Sequence, residues 1–156
     1  MSLRILVADD HDVVRQGVRL ILRRHTDWLI CGEAENGVEA LEKEKTLRPD
    51  LIILDISMPG KDGLEVAAEL RKRSSAAKVL VLSMHDSKEL SAGVKAAGGK
   101  GYVVKSHAAR DLAKAIQTII DGGDFFSDGL QAKPEKLEKQ KKKFPLLCLD
   151  RVPAFA

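Results

Sequence analysis

The sequence predicts an α/β protein built on a five-stranded parallel sheet covered by helices on both faces. Short apolar runs alternate with longer segments of helical period, the pattern of repeated strand–helix–strand units. Five such pairs fit within about the first 122 residues. With 44% hydrophobic and 31% charged residues, a chain of 156 suits one globular domain rather than a disordered segment or a disulfide scaffold.

Leu3–Ala8 is the first strand, ending at Asp9-Asp10. Val14, Val18, Ile21 and Leu22 recur at helical spacing and define a first helix from about Asp12 to Arg24, with Asp10 or Asp12 as its expected cap. Leu29–Ala34 is a weaker second strand, with Trp28 an anchor at the core's edge. Asn36-Gly37 opens a helix carrying Ala40, Leu41 and Leu47 that Pro49 ends. The most apolar run, Leu51–Leu54, reads as a central strand buried on both faces, and it delivers Asp55 at its carboxyl end. Ser57 to Gly63 is a loop by its Pro and Gly content, and Leu64, Val66, Ala67 and Leu70 mark the next helix. Lys78–Leu82 is a fourth strand ending at Ser83. A helix over about Ser87 to Ala97 is broken by Gly98-Gly99, and Gly101–Val104 is a fifth strand ending at Lys105. Leu112, Ala115, Ile116, Ile119 and Ile120 form the buried stripe of a last helix from about Ala108 to Asp121.

The formal charge of +3 is localised. Residues 132–156 hold seven of the 26 Lys/Arg and three of the 23 Asp/Glu, a local +4, which leaves residues 1–131 at about −1. A basic nucleic-acid-binding body is therefore excluded. Cys31 and Cys148 stand far apart with no Cys-x-x-Cys pair, which favours a reducing compartment. The amino terminus lacks the pattern of a signal peptide, and no apolar run approaches the roughly 20 residues of a membrane span. A cytoplasmic protein with no membrane association is expected.

In open α/β sheets, ligands collect beyond the carboxyl ends of the strands. Asp9 and Asp10 follow strand one, Asp55 strand three, Ser83 strand four and Lys105 strand five. If the strand order brings these ends together, three acids, one hydroxyl and one amine converge. Three clustered carboxylates repel one another unless a hard cation sits among them, and oxygen ligands few in number suit Mg2+. A carboxylate also serves as nucleophile toward phosphorus, and the transferred group then needs cationic and hydroxyl partners such as Lys105 and Ser83.

Asp9-Asp10, the run Leu54-Asp55-Ile56-Ser57-Met58-Pro59-Gly60 with Gly63, Ser83 and Lys105, in this order and spacing, resemble the receiver domain of bacterial two-component response regulators. The similarity spans residues 3 to about 122 and is specific as a set. Ala8–His11 and Gly98–Ser106 are most similar to the subfamily whose effector is a LuxR/NarL-type helix-turn-helix domain. The resemblance implies a flavodoxin-like, doubly wound sheet of order 2-1-3-4-5 with five surrounding helices. It implies Asp55 as the residue phosphorylated from a sensor histidine kinase. It further implies Asp10 as a direct Mg2+ ligand, Asp9 as a holder of the ion largely through water, and the backbone carbonyl of Ser57 beside them. Ser83 and Lys105 would contact the phosphoryl oxygens. On phosphorylation Ser83 would move toward the phosphate and Tyr102 turn into the space vacated, altering the face of helix four, strand five and helix five, a possible homodimer surface. Many receiver domains place a proline after a cis bond at the position of Ser106. A cis bond before a non-proline residue costs about 2.5–4 kcal/mol, and sequence leaves the isomer of Lys105–Ser106 open.

Haloacid-dehalogenase-like phosphatases are the alternative, since they also use an aspartate nucleophile, Mg2+, a Ser/Thr and a Lys. Their nucleophile lies in an Asp-x-Asp motif after the first strand, where this chain has adjacent Asp9-Asp10. Flavin binding lacks its hydroxyl- and glycine-rich phosphate loop after strand one. His11, His25, His85 and His107 share no zinc spacing and read as surface or helix-end residues, with His11 and His85 at the site rim.

The receiver is expected over residues 1–130 and a basic linker with an apolar tail over 131–156. The 25 residues after Gln131 are too few for a multi-helix effector. DNA contact is accordingly expected only through an effector domain missing from this chain. A truncated or out-of-frame regulator is the favoured reading of the apolar ending.

Overall fold

The structure is a computed structural model in which residues 2–126 are described. The expected linker and tail at 131–156, and the expected end of the receiver at 130, lie outside the described residues.

The order of elements is β1 (Leu3–Ala8), α1 (Asp12–Leu22), β2 (Trp28–Ala34), α2 (Gly37–Leu47), β3 (Leu51–Asp55), α3 (Gly63–Lys72), β4 (Lys78–Ser83), α4 (Lys88–Ala96), β5 (Gly101–Val104), α5 (Ala108–Ile120) and β6 (Phe125–Phe126). A short 3-10 turn, Lys105–His107, joins β5 to α5. All strand pairs are parallel, in the order β2-β1-β3-β4-β5-β6. The five-stranded expectation is corrected to six. Phe125 and Phe126 pair with Gly101 and Tyr102, and the Phe125 N–H donates to the Lys100 carbonyl at 2.9 Å. A two-residue strand is too short to register as periodicity in the sequence.

Because successive side chains on a strand point to opposite faces, each strand feeds two cores. Ile5, Val7, Leu51, Ile53, Leu80, Leu82 and Val103 pack with α1 and α5 residues such as Val18, Leu22, Leu112 and Ile116. Leu6, Ala8, Ile52, Leu54, Val81, Tyr102 and Val104 pack with Leu41, Val66, Leu70 and Val94 of α2, α3 and α4. Every residue of β3 is buried, as its uninterrupted apolar run predicts. Trp28 is buried at the start of β2 and stacks on His25 with ring centroids 3.8 Å apart. The β1–β2 register shifts between Ile5 and Leu6, with Cys31 the additional residue on β2.

Local chemistry explains most helix boundaries. Asn36 caps α2 by accepting from the Glu39 N–H at 2.8 Å. Asp62 and Glu65 form a reciprocal capping box at α3, and Ser87 caps α4. Arg48 takes a left-handed conformation (φ 48°) between α2 and Pro49, which disfavours continued helix at the residue before it. The expected Asp cap on α1 is absent. His11, rather than Asp10 or Asp12, occupies the N-cap and makes no side-chain cap bond, while the Asp12 carboxylate, one residue inside the helix, accepts from the Arg15 and Gln16 side chains. Among the described residues, no peptide bond is cis and no helix is long and apolar enough to cross a membrane.

Candidate functional site

β1 and β3 are neighbours, with Ala8 opposite Leu54, so Asp9 and Asp55 emerge side by side where the strand order reverses. β4 and β5 continue the row, placing Ser83 opposite Val104, the residue before Lys105. Ligating atoms of Asp9, Asp10, His11 and Asp55 all lie within 4.8 Å of one another.

Lys105 closes this cluster. Its Nζ lies 2.9 Å from Asp9 Oδ2 and 3.1 Å from Asp55 Oδ1, and both carboxylates are about 1% exposed. Asp55 Oδ1 also accepts from the Ser57 N–H at 3.3 Å. Asp9 Oδ1 accepts from the His11 N–H at 2.8 Å. Two buried oxygens, Asp9 Oδ2 and Asp55 Oδ2, have no well-directed hydrogen bond. The first faces Lys105 across the ion pair, whereas the second is unpartnered. Burial, reinforced by the neighbouring Asp9 charge, raises the Asp55 pKa above its ordinary value, and Lys105 only partly offsets this. Burial works against the Lys105 ammonium too, but its hydrogen bonds to Asp9 and Asp55 outweigh that, and its pKa is raised. With all four groups ionised, the one cation among three acids leaves the pocket negative.

This donor set fits a hard divalent cation. An unpartnered, buried carboxylate oxygen beside two further acids supplies the oxygen ligands that such an ion requires. The loop carrying Ser57 is held tightly against the strand end. A Cβ on Gly63 would stand 2.7 Å from the Asp55 carbonyl oxygen and 2.8 Å from Ile56 Cα, so only glycine lets α3 begin so close to the site.

Ser83 is fully buried, and its Oγ accepts from the His85 N–H at 3.0 Å. Tyr102 is also fully buried, and its hydroxyl donates to the His85 carbonyl. The His85 main chain thus joins Ser83 to Tyr102, a link invisible in sequence. Tyr102 already occupies an inward position in this conformation.

Sequence reasoning also missed Arg15. It is 7% exposed and donates through Nη1 to the Asp9 carbonyl and through Nε to Glu33 Oε1 on β2, while Arg19 pairs with the other Glu33 oxygen. The signal was present: Arg15 shares the buried helical face of Val18 and Leu22, and a cation on an apolar stripe needs buried partners.

The family model for the response regulator receiver domain matches residues 5–117. The chain is 36% identical over 126 residues to the nitrate/nitrite response regulator protein NarL of Escherichia coli K12, covering 81% of this chain and 58% of that protein. The chain thus spans somewhat over half the length of that relative. Among solved structures, the signal receiver domain of the putative response regulator NarL from Mycobacterium tuberculosis superposes with a TM-score of 0.74 at 34% identity, covering 78% of this chain and 98% of that one. A LuxR-family two-component response regulator from Aurantimonas sp. SI85-9A1 gives a TM-score of 0.80 at 29% identity, with 88% and 99% covered.

Proposed function

Starting from the fact that this chain belongs to the response regulator receiver domain family, we propose that Asp55 accepts a phosphoryl group from a sensor histidine kinase and thereby switches a partner surface. The observation that carries this is the unpartnered, buried Oδ2 of Asp55 beside the Lys105 ammonium. In the transfer, an Asp55 carboxylate oxygen attacks phosphorus as the bond to the donor imidazole nitrogen breaks, and that nitrogen keeps the electron pair. Lys105 balances the developing charge on the phosphoryl oxygens, and the buried Ser83 hydroxyl is the group to donate to one of them.

Asp10, Asp55, Asp9 and the Ser57 carbonyl would hold Mg2+, which when bound neutralises the carboxylates and the phosphoryl oxygens. Ser83 and Tyr102 form the switch through the His85 peptide groups. Movement of Ser83 toward the phosphate releases the His85 N–H and loosens the carbonyl that holds Tyr102. That change lies against α4 and β5, so the α4–β5–α5 face is the proposed dimer or partner surface. Transcriptional output would pass through a DNA-binding effector beyond a receiver at residues 1–130, with 131–156 as linker and tail. The haloacid-dehalogenase-like alternative finds no support in the family match.

The test is incubation with acetyl phosphate or phosphoramidate and Mg2+, read by intact mass. One added phosphoryl group on the wild type and none on Asp55→Asn is the expected result. Equal labelling of both would overturn the site, and multiple-turnover hydrolysis without labelled protein would favour the phosphatase alternative.

A further inference from the structure

We propose that His11 is an additional metal ligand of the acidic pocket and equips it to hold a divalent transition ion of the class of Co2+ or Zn2+. This rests on the reading that the pocket takes a divalent cation, and it deepens that reading by naming a second class of ion.

The geometry is that of neighbouring coordination positions. His11 Nδ1 lies 3.1 Å from Asp9 Oδ1 and 3.1 Å from Asp10 Oδ1. Ligand atoms bonded to one ion at about 2.0–2.1 Å stand roughly 3 Å apart when they occupy adjacent positions. One ligand atom from each of His11, Asp9, Asp10 and Asp55 already falls within a 4.8 Å set. Asp55 Oδ2 is buried without a hydrogen bond, so the pocket keeps a donor that no protein group satisfies.

Among the described residues the His11 ring meets only the Asp9 and Asp10 carboxylates, with Nδ1 hydrogen-bonded to Asp9 Oδ1. It sits at the α1 N-cap position but makes no side-chain cap bond, and it is 65% exposed. Its orientation is therefore set by the two carboxylates rather than by core packing. Carboxylates and carbonyls alone select Mg2+-like ions, whereas an imidazole nitrogen favours first-row transition ions. Coordination uses the Nδ1 lone pair, so a proton at Nδ1 moves to Nε2 or to solvent. Both ions draw on the same acids and would compete for them.

The experiment titrates the full chain with Co2+, followed by its visible absorption, then displaces the bound ion with Mg2+ to obtain the ratio of the two affinities. His11→Ala and His11→Gln are expected to lower the Co2+ preference at least tenfold, with melting curves confirming that both fold. A change of less than twofold in both variants would overturn the assignment of His11. Asp10→Asn separates the two readings. If it abolishes Mg2+-displaceable binding while the His11 variants behave as wild type, the pocket stands and His11 is no ligand. If it leaves that binding intact, the cation pocket itself fails and this inference fails with it.

Discussion

The guanidinium of Arg15 donates through Nη1 to the main-chain carbonyl of Asp9 at 2.5 Å. One bond therefore ties the first turn of α1 to the strand end that presents the pocket's acids, and Glu33 on β2 holds the same guanidinium from the side. Replacing Arg15 with Ala strands a buried carbonyl and leaves Glu33 short of a partner. The expected cost is about 1–3 kcal/mol in urea denaturation. Arg15→Lys should recover little, since a point charge cannot reach both partners as the planar fork does.

Lys105 stands between two buried carboxylates, so Lys105→Met should destabilise the fold by about 3–5 kcal/mol at pH 7. The deficit should narrow at both ends of the pH range. Asp55 has a raised pKa, so its penalty in the folded state is relieved as pH falls through that value. The Lys105 contribution, from a pKa raised above 10.5, is fully present below that ordinary value and is lost as pH rises through the raised one. Urea midpoints across acid, neutral and alkaline buffers check both limbs. A deficit that stays constant with pH would contradict the ion-pair account.

Asp55→Asn should raise stability rather than lower it. The contribution of a carboxyl with a raised folded pKa is fully present below its ordinary 3.8 and is lost as pH rises through the raised value. Above the ordinary value, where the unfolded carboxyl is ionised, burying this group costs stability, and the neutral amide removes the cost. A gain on the order of 1 kcal/mol, or about 4 °C in Tm, is expected without divalent cations, and it should fade in acid. A lower Tm at pH 7 would show that the Asp55–Lys105 pair stabilises the fold on balance.

Gly63→Ala forces a Cβ against the Asp55 carbonyl and Ile56 backbone, where no flexible side-chain end can yield. Overpacking of this kind costs about 1–3 kcal/mol. Because the displaced backbone carries Asp55, the labelling rate with acetyl phosphate should fall as well. Loss of stability with an unchanged labelling rate would separate the glycine from the site.

The site was largely legible before the fold. Asp55 stood out because an entirely apolar strand ended in a carboxylate, and Lys105 because a short strand ended in an amine. Those residues are marked by contrast with their immediate neighbours along the chain. Arg15 was overlooked because its partners, the Asp9 carbonyl and Glu33, come from a loop and another strand, and backbone carbonyls leave no trace in a residue pattern. The Asp cap on α1 failed because the helix begins at Asp12, which puts His11 at the N-cap.

Sequence by itself determined the alternation of strands and helices, the buried centre of the sheet and the residue types at the strand ends, because these follow from periodicity and from the burial of apolar runs. Only the tertiary structure decided that Lys105 bridges Asp9 and Asp55, that the His85 peptide joins Ser83 to Tyr102, that His11 faces two carboxylates, and that a sixth strand completes the sheet. The His11 contact is a turn of three consecutive residues whose geometry no residue pattern states; the others depend on distances between segments remote in sequence, which the packing of helices on a twisted sheet sets and no local pattern records.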